Sequence, residues 1–172
     1  IANMTDALFA IKQLVFEQKK YTMAQFKEAL EDNFGKGLSL DKVTELTSSV
    51  AKNLVAAGKN VGEAEVAQIF ETIKNTGVSA EKAAFYNTML EDIASLPKYG
   101  NDDDEIDLFA KDVAYTYTKP MLKYRNPRGG RYQAGLYPVS ANVPLGAQTG
   151  ATPDGRLAGT PIADGIGPAA GR

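Results

Sequence analysis

The texture of this chain changes once, near Asn126, and that change limits what the chain can fold into. Before it, apolar residues recur at the three- and four-residue steps of amphipathic helices. After it, glycine and proline become frequent and the helical period is lost. A helix-rich body over 1–120, followed by strand, hairpin and irregular segments over 126–172, is expected. The fold class expected is α/β.

Residues 3–19 read as one helix whose buried face carries Met4, Leu8, Ile11 and Val15, with Ala7 and Leu14 beside it. Thr22 caps a second helix, Gln25 stands in capping-box position, Phe26 and Leu30 face inward, and Gly35 and Gly37 end it. A third helix over about 40–57 has Ser39 as cap, the stripe Val43, Leu46, Val50 and Leu54, and Gly58 as stop. A fourth over about 62–75 buries Val66, Ile69, Phe70 and Ile73 and stops at Gly77. Ser79 caps a fifth, with Phe85, Met89 and Ile93 inward and Pro97 preventing its continuation. The sixth opens on Asp102-Asp103-Asp104, with Asn101 or Asp102 as N-cap and Ile106, Phe109 and Val113 inward. Pro120 marks its end or a kink.

In the last third, Tyr132–Val143 is the strand candidate, with Leu136, Ser140 and Asn142 on one face and Tyr137, Val139 and Ala141 on the other. Pro138 makes it an edge, a bulge or an irregular segment. Pro153-Asp154-Gly155 is a turn signal. Gly159–Arg172 is poor in side-chain bulk and is expected to lie against parts of a longer protein. The opening at Ile1 and the stop at Arg172 carry the same expectation of an internal piece.

Composition excludes more than it identifies. The chain has no cysteine and no histidine, which removes disulfides, thiolate nucleophiles, ordinary zinc sites and imidazole bases. A net charge of −2 gives no general attraction to nucleic acid or anionic lipid, and no apolar run approaches the ~20 residues that span a bilayer. No nucleic-acid or membrane partner and a cytoplasmic location are expected. The acidic cluster at 102–104 lacks the alternating ligands of a calcium loop, so capping is favoured over a metal site. Arg128-Gly129-Gly130-Arg131 resembles a single RNA-binding RGG box, but a tight chain connection is favoured. Thr149–Arg156 reads as a turn with a structural arginine rather than an anion site.

Three blocks carry a resemblance: Ile1-Ala2-Asn3 with the first two helices; Lys98-Tyr99-Gly100-Asn101-Asp102-Asp103; and Ser140-Ala141-Asn142-Val143 with Thr149-Gly150 and Thr152-Pro153-Asp154-Gly155-Arg156. Together they resemble the glycyl radical enzymes, the pyruvate formate-lyase-like lyases and dehydratases. The wording over Tyr132–Leu145 looks closer to the dehydratase and amine-lyase branch. The resemblance implies that 1–172 is a fragment of one such domain, part of a ten-stranded barrel, with a helical elaboration at 38–95. It implies an activating enzyme that uses S-adenosylmethionine and an iron–sulfur cluster to install a glycyl radical, a small-molecule substrate, and a homodimer at full length.

In such enzymes the radical passes to a cysteine, whose thiyl abstracts a substrate hydrogen before a C–O, C–N or C–C bond breaks. The cysteine is absent here and no radical-glycine motif is found, so none of the 16 glycines is assigned that role and no residue is named catalytic, cofactor-binding or metal-binding. If Tyr132–Val143 is a barrel strand, Leu136, Ser140 and Asn142 are the candidates to line a substrate cavity. The apolar Leu136 favours a neutral or cationic substrate over an anion. The alternative function is a non-catalytic helical interaction module with a structured tail. A tail folded back on its own helices would count for that alternative; a nucleic-acid binder acting through Arg125, Arg128 and Arg131 is a remote third.

Overall fold

Helix α1 (Ala2–Ile11) runs directly into a π-helical turn, Lys12–Glu17, rather than continuing as one α-helix to residue 19. The computed structural model describes residues 1–37, 40–58, 61–74, 78–137 and 140–169, without the side chains of 40–43 and 71–74. A π-turn adds one residue per turn and rotates one flank against the other. The buried face is accordingly Ala2, Thr5, Asp6, Phe9 and Ala10, with Leu14 following Phe9 at the five-residue π spacing. The expected stripe is corrected: Met4 and Leu8 are 61% and 42% exposed.

Helix α2 (Met23–Glu31) starts with the expected capping box, the Gln25 amide nitrogen donating to Thr22 Oγ1 at 3.2 Å and the Thr22 N–H to Gln25 Oε1 at 2.8 Å. It stops before either glycine. Asn33 and Phe34 both take left-handed backbone, φ 50° and 51°, ahead of Gly35. Asparagine tolerates that region well; for Phe34 the strain is offset by complete burial of the ring.

Helices α3 (Leu40–Ala56) and α4 (Glu63–Lys74) form where their periodicity placed them and pack on one another. Their expected punctuation at Ser39 and Gly77, and the side chains of Val43 and Ile73, lie outside the described residues. Helix α5 (Ala80–Ser95) is capped by Ser79 as expected. It gives Tyr86, Met89 and Ile93 to a core shared with Leu14, Tyr21, Phe26 and Phe34.

Lys98 then closes α5 from outside, its ammonium donating to the Ile93 and Leu96 carbonyls at 2.5 and 2.7 Å. Helix α6 (Asp104–Met121) is capped by Asp103, one residue later than expected, whose Oδ1 accepts from the Glu105 and Ile106 amides. The acidic cluster is thus engaged in capping. α6 lies against α1, with Phe9 and Phe109 meeting edge-on at 5.7 Å.

The Arg125–Arg131 stretch is a tight turn: Asn126 Oδ1 accepts from the Arg128 and Gly130 amides, and Arg125 pairs with Arg131 in an isolated bridge. No strand forms over Tyr132–Val143 among the described residues. Residues 132–137 run without ladder partners, Pro138 and Val139 lie outside the described residues, and Asn142 opens a short helix, α7 (Asn142–Ala147). The α/β expectation is corrected for this segment: it is helical and irregular among the described residues, and no part of a barrel sheet is seen in it.

Candidate functional site

The tail, described as far as Ala169, has partners that the sequence reading did not give it: it lies on this chain's own helices. Bulky side chains play little part in holding it; buried polar groups do. The turn Thr152–Arg156 is closed by an isolated bridge and by Gly155, whose φ of 84° suits glycine. Asp154 and Arg156 within it are only 2% and 4% exposed.

Arg156 points inward. Its guanidinium donates to the carbonyls of Leu157 (3.1 Å), Thr160 (2.6 Å), Thr149 (3.3 Å) and Gly150, and its Nε–H to Thr152 Oγ1 at 3.2 Å. One side chain therefore satisfies carbonyls on both sides of the turn. The expectation of a structural arginine holds. The fixed fork of five N–H donors is what allows it.

Two asparagines clamp the turn and tail to the helical body. Asn3 Nδ2 donates to Asp154 Oδ2 at 2.8 Å, while its Oδ1 accepts from the Ala163 amide at 2.6 Å. Asn33 Oδ1 accepts from the Ala158 amide at 2.7 Å. A third tie, Asp6 Oδ1 accepting from the Tyr99 amide at 2.9 Å, fixes the loop before α6 on the same side of α1. Helix α7 completes the assembly through Gly146, where an added Cβ would come within 2.6 Å of Pro161 Cα.

Between these elements lies a cavity of about 380 Å³, bordered by Asn3, Asn142, Arg156, Thr160 and Asp164. Of the three residues proposed from sequence, only Asn142 borders it. Leu136 is 44% exposed on the unpaired stretch and Ser140 is exposed just before α7, so the three do not converge on this cavity. Asn3, which borders it, and Asn33, which anchors the chain at Ala158, were not among the site candidates from sequence because their partners lie 151 and 125 residues away.

The perturbed titrating groups sit elsewhere and serve the core. Burial, then the Asp92 carboxylate, push the Tyr21 phenol up; burial, then Asp32, push Tyr86 up to about 12. Lys82 is raised by its hydrogen bonds to Asp32 and Glu28. Asp92, although burial pushes it upward, is lowered on balance by donors from Lys20 and Tyr21. Both phenols stay neutral donors at ordinary pH, which makes them anchors rather than acid–base catalysts.

A turn of this composition, seated against an Asn-bearing first helix and a Lys-Tyr-Gly-Asn-Asp loop, points to one class of protein. The pyruvate formate lyase-like family model matches residues 1–146, and the chain belongs to that family. It is 35% identical over 177 residues to Probable dehydratase YbiW of Escherichia coli (strain K12), covering 99% of this chain and 16% of the relative. It is 30% identical to the 4-hydroxyphenylacetate decarboxylase glycyl radical subunit of Clostridioides difficile, covering 95% and 15%. A solved structure concerning 1,2-propanediol dehydration in Roseburia inulinivorans superposes with a TM-score of 0.79 at 53% identity, covering 99% of this chain and 20% of that one. Thus the relatives are dehydratases and decarboxylases, and this chain spans about one-sixth of the curated ones.

Proposed function

We propose that residues 1–172 are a scaffold segment of a glycyl radical dehydratase that eliminates water from a small neutral 1,2-diol by C–O cleavage. The observation that carries this is the gap in similarity: 53% identity to the structure concerned with 1,2-propanediol dehydration, against 35% and 30% for the other dehydratase and the decarboxylase. The whole enzyme, on this proposal, is a barrel-shaped cytoplasmic homodimer served by an activating enzyme.

The glycyl radical, installed elsewhere in the polypeptide by that activating enzyme with S-adenosylmethionine and an iron–sulfur cluster, would supply hydrogen abstraction through a cysteine. Residues 1–172 contain no cysteine, so no step of that chemistry is routed through them. Their contribution is positional. Arg156, Asn3 and Asn33 fix the turn and tail, on which α7 rests through Asn142 and Gly146. Leu136, Ser140 and Asn142 stay the candidates to face substrate. The exposure of the first two suits a cavity completed by other parts of the enzyme.

The interaction-module alternative predicted a closed body. The seated tail agrees with it. The large exposed side chains Met4, Leu8, Leu108 and Leu122 do not, because a self-sufficient module would cover them. The test is to produce the complete polypeptide anaerobically with its activating enzyme. A glycyl radical signal in electron paramagnetic resonance, and conversion of 1,2-propanediol to propionaldehyde faster than turnover of glycerol, choline or 4-hydroxyphenylacetate, are expected. Decarboxylation or C–N cleavage in place of dehydration would overturn the assignment.

A further inference from the structure

Helix α6 is apolar on two opposite sides. Ile106 and Ala110 are buried on the side that carries Phe109 to α1. Leu108, Tyr115 and Leu122 follow one another at seven-residue steps and are 56%, 38% and 56% exposed. At about 100° per residue they lie roughly 160° around the helix from the buried pair. The Tyr115 ring on this far side sits between two ammonium groups, Lys111 Nζ at 5.9 Å and Lys119 Nζ at 4.0 Å from its centroid.

A helix with two apolar sides is built to be covered on both. We propose that this second face seats a segment of the same polypeptide lying outside residues 1–172, one that lays aliphatic side chains on Leu108 and Leu122 and presents carboxylates to Lys111 and Lys119. The inference rests on the reading of this chain as part of a longer enzyme, and on the 84% of its curated relative's length that 1–172 does not span (100% less the 16% covered). Covering the face takes both ammonium groups out of water, which is unfavourable unless a carboxylate meets them.

A second copy of α6 is a poor occupant. Antiparallel pairing about Tyr115 would set the Lys111 of each helix against the Lys119 of the other, and like charges would face at both ends of the contact. Nor is this a coiled-coil seam. The positions that would alternate with the stripe are Lys111, Asp112, Thr118 and Lys119, all polar.

The experiment uses the complete polypeptide. Zero-length carbodiimide cross-linking with peptide mapping is expected to join Lys111 or Lys119 to an Asp or Glu outside 1–172, within a band of single-polypeptide size. That link should vanish in a Lys111→Met, Lys119→Met double variant. Hydroxyl-radical oxidation at Leu108 and Leu122 should be far slower than in the same protein unfolded in urea. A link found only in a dimer-sized band, no link from either lysine, or oxidation at the unfolded rate would each overturn the proposal. If diol dehydration and the radical signal persist in that event, the enzymatic reading stands and only the docking proposal falls. A covered, cross-linked face in a polypeptide that forms no radical would do the reverse.

Discussion

The α3–α4 pair and the turn-and-tail segment form a contrast. The pair has 17 and 12 residues of regular helix, yet gives none of the buried core cluster among the described residues. The segment from Thr149 to Ala169 has no regular element, yet it packs Ala151 and Leu157 on the core and buries Asp154 and Arg156. Integration into the body therefore follows long-range satisfaction of buried polar groups, not regularity of the backbone.

The contrast is easiest to break at Arg156. Arg156→Met takes a donor from four carbonyls, of which Thr149 and Leu157 keep others from Gly159 and Thr160, and leaves the buried turn without its charged fork; it should cost about 3–5 kcal/mol, read from the urea midpoint. A loss under about 1 kcal/mol would mean the turn holds without it. Phe26→Ala, at 1% exposure in the core, should cost a similar ~3–5 kcal/mol. Phe70→Ala in α4, only half-buried, should cost about 1 kcal/mol or less of global stability; equal effects would show that the pair is fully integrated. Asn3→Leu removes both of its hydrogen bonds and should cost about 2–3 kcal/mol, with hydrogen exchange at the Ala163 amide rising before any exchange in α2.

Smaller still, Thr22→Ala should cost about 1 kcal/mol, through the loss of a cap at one end of α2. A last pair of effects is in pH dependence. Tyr86 is raised in the folded state from an ordinary value near 10 to about 12, so its contribution is whole below 10 and is lost as pH rises through 12. Asp92 is lowered, so its contribution is present above the ordinary carboxylate range and is lost as pH falls through its depressed folded value. Tyr86→Phe should flatten the alkaline limb of a stability–pH curve and leave the acid limb unchanged.

Sequence revealed what depends on neighbours a few residues apart. Thr22 with Gln25, Ser79 before α5, the turn at Pro153-Asp154-Gly155 and the spans of α3 to α6 all follow from capping, periodicity and turn chemistry within one element. It misled where a distant partner or a broken register decides. Asn142 and Val143 closed the expected strand Tyr132–Val143, yet they open a turn and a half of helix in which Gly146 comes close to Pro161. Of the candidate site, Asp154 and Arg156 were visible as a turn with a structural arginine; the asparagines that hold it were not, since nothing local marks a side chain whose partner is 151 residues away.

The π-turn at Lys12–Glu17 has a consequence for how this family can vary. It is an α-helix carrying one surplus residue. Deleting that residue would swing everything upstream by about 100°, turning Met4 and Leu8 toward the core and carrying Asn3 away from Asp154. Length changes should therefore be purged from 12–17 in descendants of this sequence.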